Sequence, residues 1–386
     1  MEQAVATTLI NRDRAAPTLA DKVALLGRPD TYRPAPAAVI ARETHMSWVF
    51  LVGDNVFKLK KPVRFPYLDF SSLVRREVAC RAEVRLNRRL APDIYLGVVS
   101  LTQAARGLAL GSDGAPIDWL VHMKRLDERF MLDRLIAERR LGPRDIDRLA
   151  DMLADFYRSA EPTMLPQAVQ LTEIRRTLAY NRSVLLDPRF TLPAGLVRRI
   201  DAVQRRFIAQ CGGLITARFR HRRIVDGHGD LRPEHIWLGE RIRIIDCLEF
   251  NDRLRVVDPF DEIAYLALEC ERLGAAWAGA RLRRRMTRLL RDGPTDALFT
   301  FYHGYRAMLR ARLAIAHLHE PTPRTPQKWA PLARAYLVLA AGSARRLEAW
   351  LRTPASRSGC GSRAAGGSPR PKAARRARRQ ALPTAP

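Results

Sequence analysis

Apolar and polar positions alternate through residues 37–66, AAVIARETHMSWVFLVGDNVFKLKKPVRFP, on either side of a GDN turn. A period of two around such a turn predicts a β-hairpin, with WVFLV and NVFKLKK as its strands. The period then lengthens. Across residues 72–90, Leu73, Val78, Ala82 and Leu86 form a helical apolar stripe opposite a polar face. IYLGVVSLTQ and WLVHMKRL predict two further strands, giving a small, mostly antiparallel sheet with one inserted helix.

After Leu126 helical periods take over, at residues 128–140, 143–159, 167–186 and 195–211. Pro143 suits a first helical position, and DPRFTLPAG interrupts the run. HIWL and RIRIID, joined by GE, predict two short strands, and helices follow from about 258 to 350. No internal repeat, heptad array or GxxxxGK[ST] loop occurs. At 386 residues the chain exceeds the length over which one core keeps growing. The expected architecture is α+β and two-lobed: an N-terminal segment (1–34), a β-rich N-lobe (35–125), a helical C-lobe (126–352) and a tail (353–386).

Composition adds three points. The five cysteines lie far apart with no CxxC pair, which predicts reduced thiols and a cytoplasmic protein. The first residues lack the apolar core of a signal peptide, and the longest apolar run, AYLVLAA, is too short to span a bilayer. The net charge is +27, and from Arg352 onward no acidic residue appears. That Gly-, Ser-, Pro- and Arg-rich stretch predicts a disordered basic tail able to bind nucleic acid or another anionic surface.

Nearly all the positive charge is arginine. Lysine occurs at seven positions only, and three of them share the window KLKK, as Lys58, Lys60 and Lys61. A compact ammonium suits phosphate as a point charge, so this window asks for a specific role. Lys58 and Lys60 share one strand face; Lys61 points away. A second concentration of chemistry lies in VDGHGDLRPEHIWL, residues 225–238. Asp230 precedes one predicted strand and Asp246 ends the next, so two carboxylates can converge at one edge of a ribbon. One carboxylate can deprotonate a hydroxyl while the other holds Mg²⁺, which is the division of labour of phosphoryl transfer. A zinc site at His228, Asp230 and His235 lacks an evident fourth ligand and the usual spacings.

HGDLRPEHI resembles the catalytic loop of the aminoglycoside phosphotransferase family, which has the protein-kinase-like fold. IIDCLEFND and VVDPFDEIAYLA resemble that family's metal-binding aspartate and the helix after it. ETHMSWVFLVGDNVFKLKKPV and LNRRLAPDIYLGVV look more closely like the kinase-like half of bacterial bifunctional phosphotransferase/ATP-binding proteins. The resemblance spans about residues 20–345.

It implies an ATP- and Mg²⁺-dependent transferase that phosphorylates a hydroxyl of a small molecule. Asp230 would be the catalytic base and Asp246 the metal ligand. Glu83 would pair with the ATP lysine, for which Lys60 is favoured over Lys58. Met123, within HMKRL, would lie at the adenine hinge. Thr44 and Ser47 occupy the place of a glycine-rich loop and would contact phosphates. His228 would support the loop from beneath and Asp261 would brace it from the next helix.

One departure matters: the family has Asn five residues after the catalytic Asp, where this chain has His235. Imidazole is a poorer partner for hard Mg²⁺. His235 would hydrogen-bond Asp230, leave one strongly held metal, or shift the preference toward Mn²⁺. The rival expectation is a non-catalytic kinase-like nucleotide binder that uses its tail on nucleic acid.

Overall fold

The computed structural model describes residues 16–65, 67–104, 107–163, 167–320 and 323–353. The expected basic tail lies outside them after Thr353. Helix α1 (Leu19–Leu26) opens on a capping box in which Thr18 and Asp21 each take up the other's amide. Next come β1 (Val39–Glu43), β2 (Ser47–Val52), β3 (Asn55–Lys60), the two-residue strands β4 (Arg64–Phe65) and β5 (Leu68–Asp69), and helix α2 (Leu73–Asn87). Then β6 (Tyr95–Ala104), β7 (Gly107–Leu110) and β8 (Ala115–Lys124) complete an antiparallel sheet of order β1-β2-β3-β8-β6-β7.

Strict alternation along β3 divides the side chains between the two faces of this sheet. Phe57 and Leu59 point outward with Phe50 and Leu120, where Leu26 and Tyr32 cover them. Val56 points inward with Leu51, Val84 and Met123. The described residues from Leu19 to Tyr32 therefore pack onto the N-lobe sheet. Lys22 of α1 and Arg76 of α2 share the buried Asp118, at 2.7 and 2.6 Å.

Helix α2 differs from its expected face. Of the expected stripe Leu86 is buried but Val78 is 64% exposed, and the buried side runs through Arg76, Ala79, Cys80, Glu83, Val84 and Asn87 as well. This inward face admits polar side chains among Ala79, Val84 and Leu86 because each polar group has a fixed partner. Arg76 meets Asp118, Glu83 meets lysines, and the Asn87 Oδ1 accepts the Cys247 amide at 2.9 Å.

The C-lobe is built from α3 (Leu132–Ala137), α4 (Pro143–Ser159), α5 (Gln167–Leu185), α6 (Ala194–Arg220), α7 (Pro259–Arg272), α8 (Ala276–Leu290), α9 (Asp296–Ala316) and α10 (Pro326–Leu351). Phe207, Phe260, Phe301 and Tyr336 fill its core. The expected helix at 128–140 is a 3₁₀ turn, Glu128–Phe130, followed by the short α3. Met131 stays extended between them because it bridges to Trp237. The helix expected to stop at 211 continues to Arg220 across a local break at Cys211. Cys80, Cys247 and Cys270 are free and buried, whereas Cys211, expected reduced, is disulfide-bonded, a pairing that spacing along the chain does not reveal. No described helix is long and apolar enough to cross a membrane.

Four two-residue strands position the loops that matter. β9 (Val225–Asp226) pairs with β12 (Val256–Val257), and β10 (Ile236–Trp237) pairs with β11 (Arg243–Ile244). The segment between β9 and β10 carries His228 and Asp230. The segment after β11 carries Asp246 and faces the sheet.

Candidate active site

A cavity of about 600 Å³ lies between the lobes, a size that suits a small-molecule ligand. Its lining combines apolar side chains, Val49, Val56, Met123, Leu126, Met131 and Ile245, with Lys58, Asp230, Arg232, His235 and Asp246.

Both lysines of β3 reach Glu83 of α2. The Lys58 ammonium lies 2.9 Å from Glu83 Oε1 and that of Lys60 lies 2.6 Å from Oε2. Their outer partners differ. Lys58 bonds Asp246 Oδ1 at 2.6 Å and lines the cavity; Lys60 bonds Glu249 at 2.5 Å and is 1% exposed. A continuous ionic chain thus runs Asp246–Lys58–Glu83–Lys60–Glu249, joining the sheet, α2 and the segment after β11. Burial disfavours every charge in it. Attraction to Asp246 and Glu83 nevertheless raises the Lys58 pKa, and the two lysines lower that of Glu83. Of the two lysines, the one open to the cavity is Lys58, not the sequence-favoured Lys60. Lys61 points away and pairs with Glu43.

The loop after β9 is held from below. Glu262 of α7, fully buried, accepts the amides of His228, at 3.0 Å, and Gly229, together with the Tyr157 hydroxyl at 2.8 Å. The expected brace, Asp261, instead forms a two-pronged pair with Arg306, at 2.8 and 2.7 Å. Neighbouring helical positions diverge by about 100°, and only the second of these acids points at the loop. The fit leaves no room for side chains: a Cβ on Gly227 would lie 2.5 Å from Glu262 Oε2, and Gly229 has φ +87°.

His228 is buried under the loop. Its Nδ1 accepts the Asp230 amide at 3.2 Å, so Nε2 carries the proton and donates to the Ile245 carbonyl at 2.9 Å. Burial lowers its pKa from 6.5 to about 4. The unfolded chain therefore takes up a proton that the folded chain refuses between these values, and stability should fall as pH drops from 6.5 to 4. The full loss from this group is about 3 kcal/mol. Urea unfolding across that window should show a shallower acid slope for His228→Gln than for wild type. Equal slopes would mean that His228 is not the group responsible.

Asp230 Oδ1 accepts the Tyr265 hydroxyl at 2.9 Å, and Oδ2 lies 3.1 Å from Arg232 Nε. Burial pushes the Asp230 carboxyl up, but Arg232, His235, Arg310 and His228 together outweigh it and the pKa is lowered. Arg232, not singled out in the sequence, is thus the cation nearest the expected base. Asp246 adopts φ +62°, an unusual conformation for a residue with a side chain. Its amide donates to the Tyr95 hydroxyl at 3.1 Å. Burial again opposes its charge, and Lys58, His235 and Lys60 together prevail, holding the carboxyl well below the usual range.

His235 stands between the two aspartates. Nδ1 donates to the Asp230 carbonyl at 2.9 Å, so Nε2 is the acceptor nitrogen: it takes a hydrogen bond from Arg232 at 3.2 Å and lies 3.5 Å from Asp246 Oδ2. An imidazole nitrogen and a carboxylate oxygen side by side fit a shared divalent cation. The mixed N/O pair suits Mn²⁺ better than Mg²⁺. Across the cleft, Thr44 and Ser47 close the β1–β2 turn. The Thr44 hydroxyl accepts the Ser47 amide at 2.9 Å and donates to the Ser47 carbonyl at 2.9 Å, so its hydrogen bonds stay within the turn. Ser47 is buried at the cavity wall.

No protein-family model matches the chain. Uncharacterized proteins of Mycobacterium tuberculosis and Mycobacterium bovis are each 32% identical to it over 286 residues, 73% of this chain and 56% of the relative. The chain thus spans about half the length of the curated relatives it matches. Among solved structures, a choline kinase from Cryptosporidium parvum aligns with a TM-score of 0.50 at 10% identity, over 86% of this chain and 94% of its own. A choline/ethanolamine kinase family protein from Mesorhizobium loti gives 0.49 at 17% identity, over 89% and 98%. An aminoglycoside phosphotransferase in a ternary complex with AMP-PNP and hygromycin B gives 0.48 at 11%, over 80% and 95%. The chain has the two-lobed, protein-kinase-like fold.

Proposed function

We propose that the protein transfers the γ-phosphoryl group of ATP to a hydroxyl of a small molecule. The observation that carries this reading is the meeting of Asp230, His235 and Asp246 on one side of a cleft whose other side presents Lys58. ATP would place its base against Met123, Val49 and Val56 and its phosphates toward Lys58. Asp230, ionised and oriented by Tyr265, would accept the proton of the attacking hydroxyl as its oxygen bonds to phosphorus and the bond to ADP breaks. Arg232 stands where it would face negative charge on the group in transfer. Asp246 and His235 would hold a divalent cation, which neutralises phosphate charge when bound.

The acceptor side favours a neutral or anionic hydroxyl compound over a polycation, because Arg232 and Arg310 both act on the Asp230 charge. The test is thermal stabilisation by ATP with EDTA, Mg²⁺ or Mn²⁺. Stabilisation should require metal and vanish in Asp246→Ala. Lys58→Met should weaken ATP binding about 10- to 100-fold, the cost of one charged contact to phosphate. Equal ATP binding by wild type and both variants would overturn the assignment. Metal-dependent binding without phosphate transfer to any hydroxyl compound in a screen would favour the non-catalytic nucleotide binder.

A further inference from the structure

His45 of the β1–β2 turn and the His317–Glu320 segment after α9 lie in opposite lobes, and neither belongs to the chemistry above. They nevertheless converge. His45 Nδ1 lies 3.1 Å from Glu320 Oε1, and His317 Nδ1 lies 2.7 Å from the same oxygen. Among the described residues, these three form a group whose ligand atoms all fall within 4.8 Å of one another. Both rings are held in place by aromatic neighbours: Phe65 stacks on His45 at 4.7 Å between centroids, and Trp329 stacks on His317 at 4.0 Å. The Trp329 indole is fixed in turn by donating to the Arg324 carbonyl at 2.8 Å. All three side chains are half-buried.

We propose that His45, His317 and Glu320 bind a divalent transition-metal ion, Zn²⁺ by preference, and that this ion clasps the β1–β2 turn to the C-lobe. Two imidazoles and a carboxylate make a three-ligand zinc set that leaves the fourth position to water. Tetrahedral zinc at ordinary bond lengths separates its ligand atoms by about 3.3 Å. The 3.1 Å spacing is already close to this, and the 2.7 Å one must open by about half an ångström as a hydrogen bond gives way to two metal bonds. The same set is a poor match for Mg²⁺, which prefers oxygen.

The surrounding charges permit a dication. The nearby cations, Lys61 and Arg324, are both taken up by Glu43. His45 also lines the cavity between the lobes. A loaded clasp would therefore hold the turn that roofs the cavity. The clasp does not depend on the phosphoryl-transfer chemistry.

Isothermal titration of untagged full-length protein with Zn²⁺ alone tests it. Wild type and Asp246→Ala should bind one equivalent at this site. His317→Ala, His45→Ala and Glu320→Gln should each weaken that equivalent by at least about 10- to 100-fold, no less than the loss of an outer partner costs. Metal-free melting temperatures of the three variants report whether they fold, and Glu320→Gln preserves shape if either alanine variant does not. Zn²⁺ affinity unchanged in all three, or lost in Asp246→Ala alone, would overturn the clasp and place any bound ion in the cleft. Absence of saturable Zn²⁺ binding to wild type would overturn it outright.

Discussion

Asp230→Asn should lower phosphoryl transfer by about 10²- to 10⁴-fold while changing ATP affinity little, the range expected for removing a positioned general base. The amide keeps the shape of the side chain and can still accept the Tyr265 hydroxyl, so the loop should remain in place. What is lost is the carboxylate charge. On the barrier this amounts to about 3–5 kcal/mol. Arg232 loses a partner 3.1 Å away but keeps Glu234 at 3.0 Å, which limits the structural disturbance. Initial rates of ADP release with a hydroxyl acceptor, beside ATP titration of the same variant, separate chemistry from binding. A fall of less than about tenfold would remove Asp230 from the role of base.

Glu83→Ala should cost about 3–5 kcal/mol of folding stability, because it leaves two buried ammonium groups short of their shared counter-charge. Glu83 is 0% exposed, and among the described residues no other carboxylate touches both lysines. Equilibrium urea unfolding at neutral pH measures the loss. A second comparison identifies its origin. Glu83→Leu combined with Lys60→Met removes one charge of each sign, and replacing a buried pair by apolar groups is often neutral. The double variant should therefore lose less than the sum of its single variants. Glu249, left without Lys60, is already biased toward its neutral form by burial. Additive losses would show that packing, not uncompensated charge, sets the value of Glu83.

Strands were more legible than helices in this chain. Period two assigns a face residue by residue, and Lys58 and Lys60 do share the inner face of β3, opposite Phe57 and Leu59. The same rule does not rank the two lysines, because depth along the cleft depends on α2 and the segment after β11. On α2 the pattern misled in part, since Arg76, Glu83 and Asn87 are buried beside Ala79, Val84 and Leu86 and blur the apolar sign of the inward face. Asp261 and Glu262 are adjacent on a helix buried nearly all round, so sequence alone had no means of choosing between them. The two-lobed α+β architecture followed from the change of period after Leu126. Helix α1 and the meeting of His45 with His317 and Glu320 did not, because both depend on contacts distant along the chain.

The seating of α1 bears on how the protein can be cut. A fragment begun at residue 35 would retain every residue of the lysine strand and the loop after β9, yet it would lack Leu26 and Tyr32. Phe50, Phe57, Leu59 and Leu120 would then lose their cover, a continuous greasy patch on one side of an otherwise well-formed sheet. Asp118 would also keep only one of its two cationic partners. A fragment that keeps this cover and the cap of α1 therefore starts at or before Thr18, well before the first residue with any part in the chemistry.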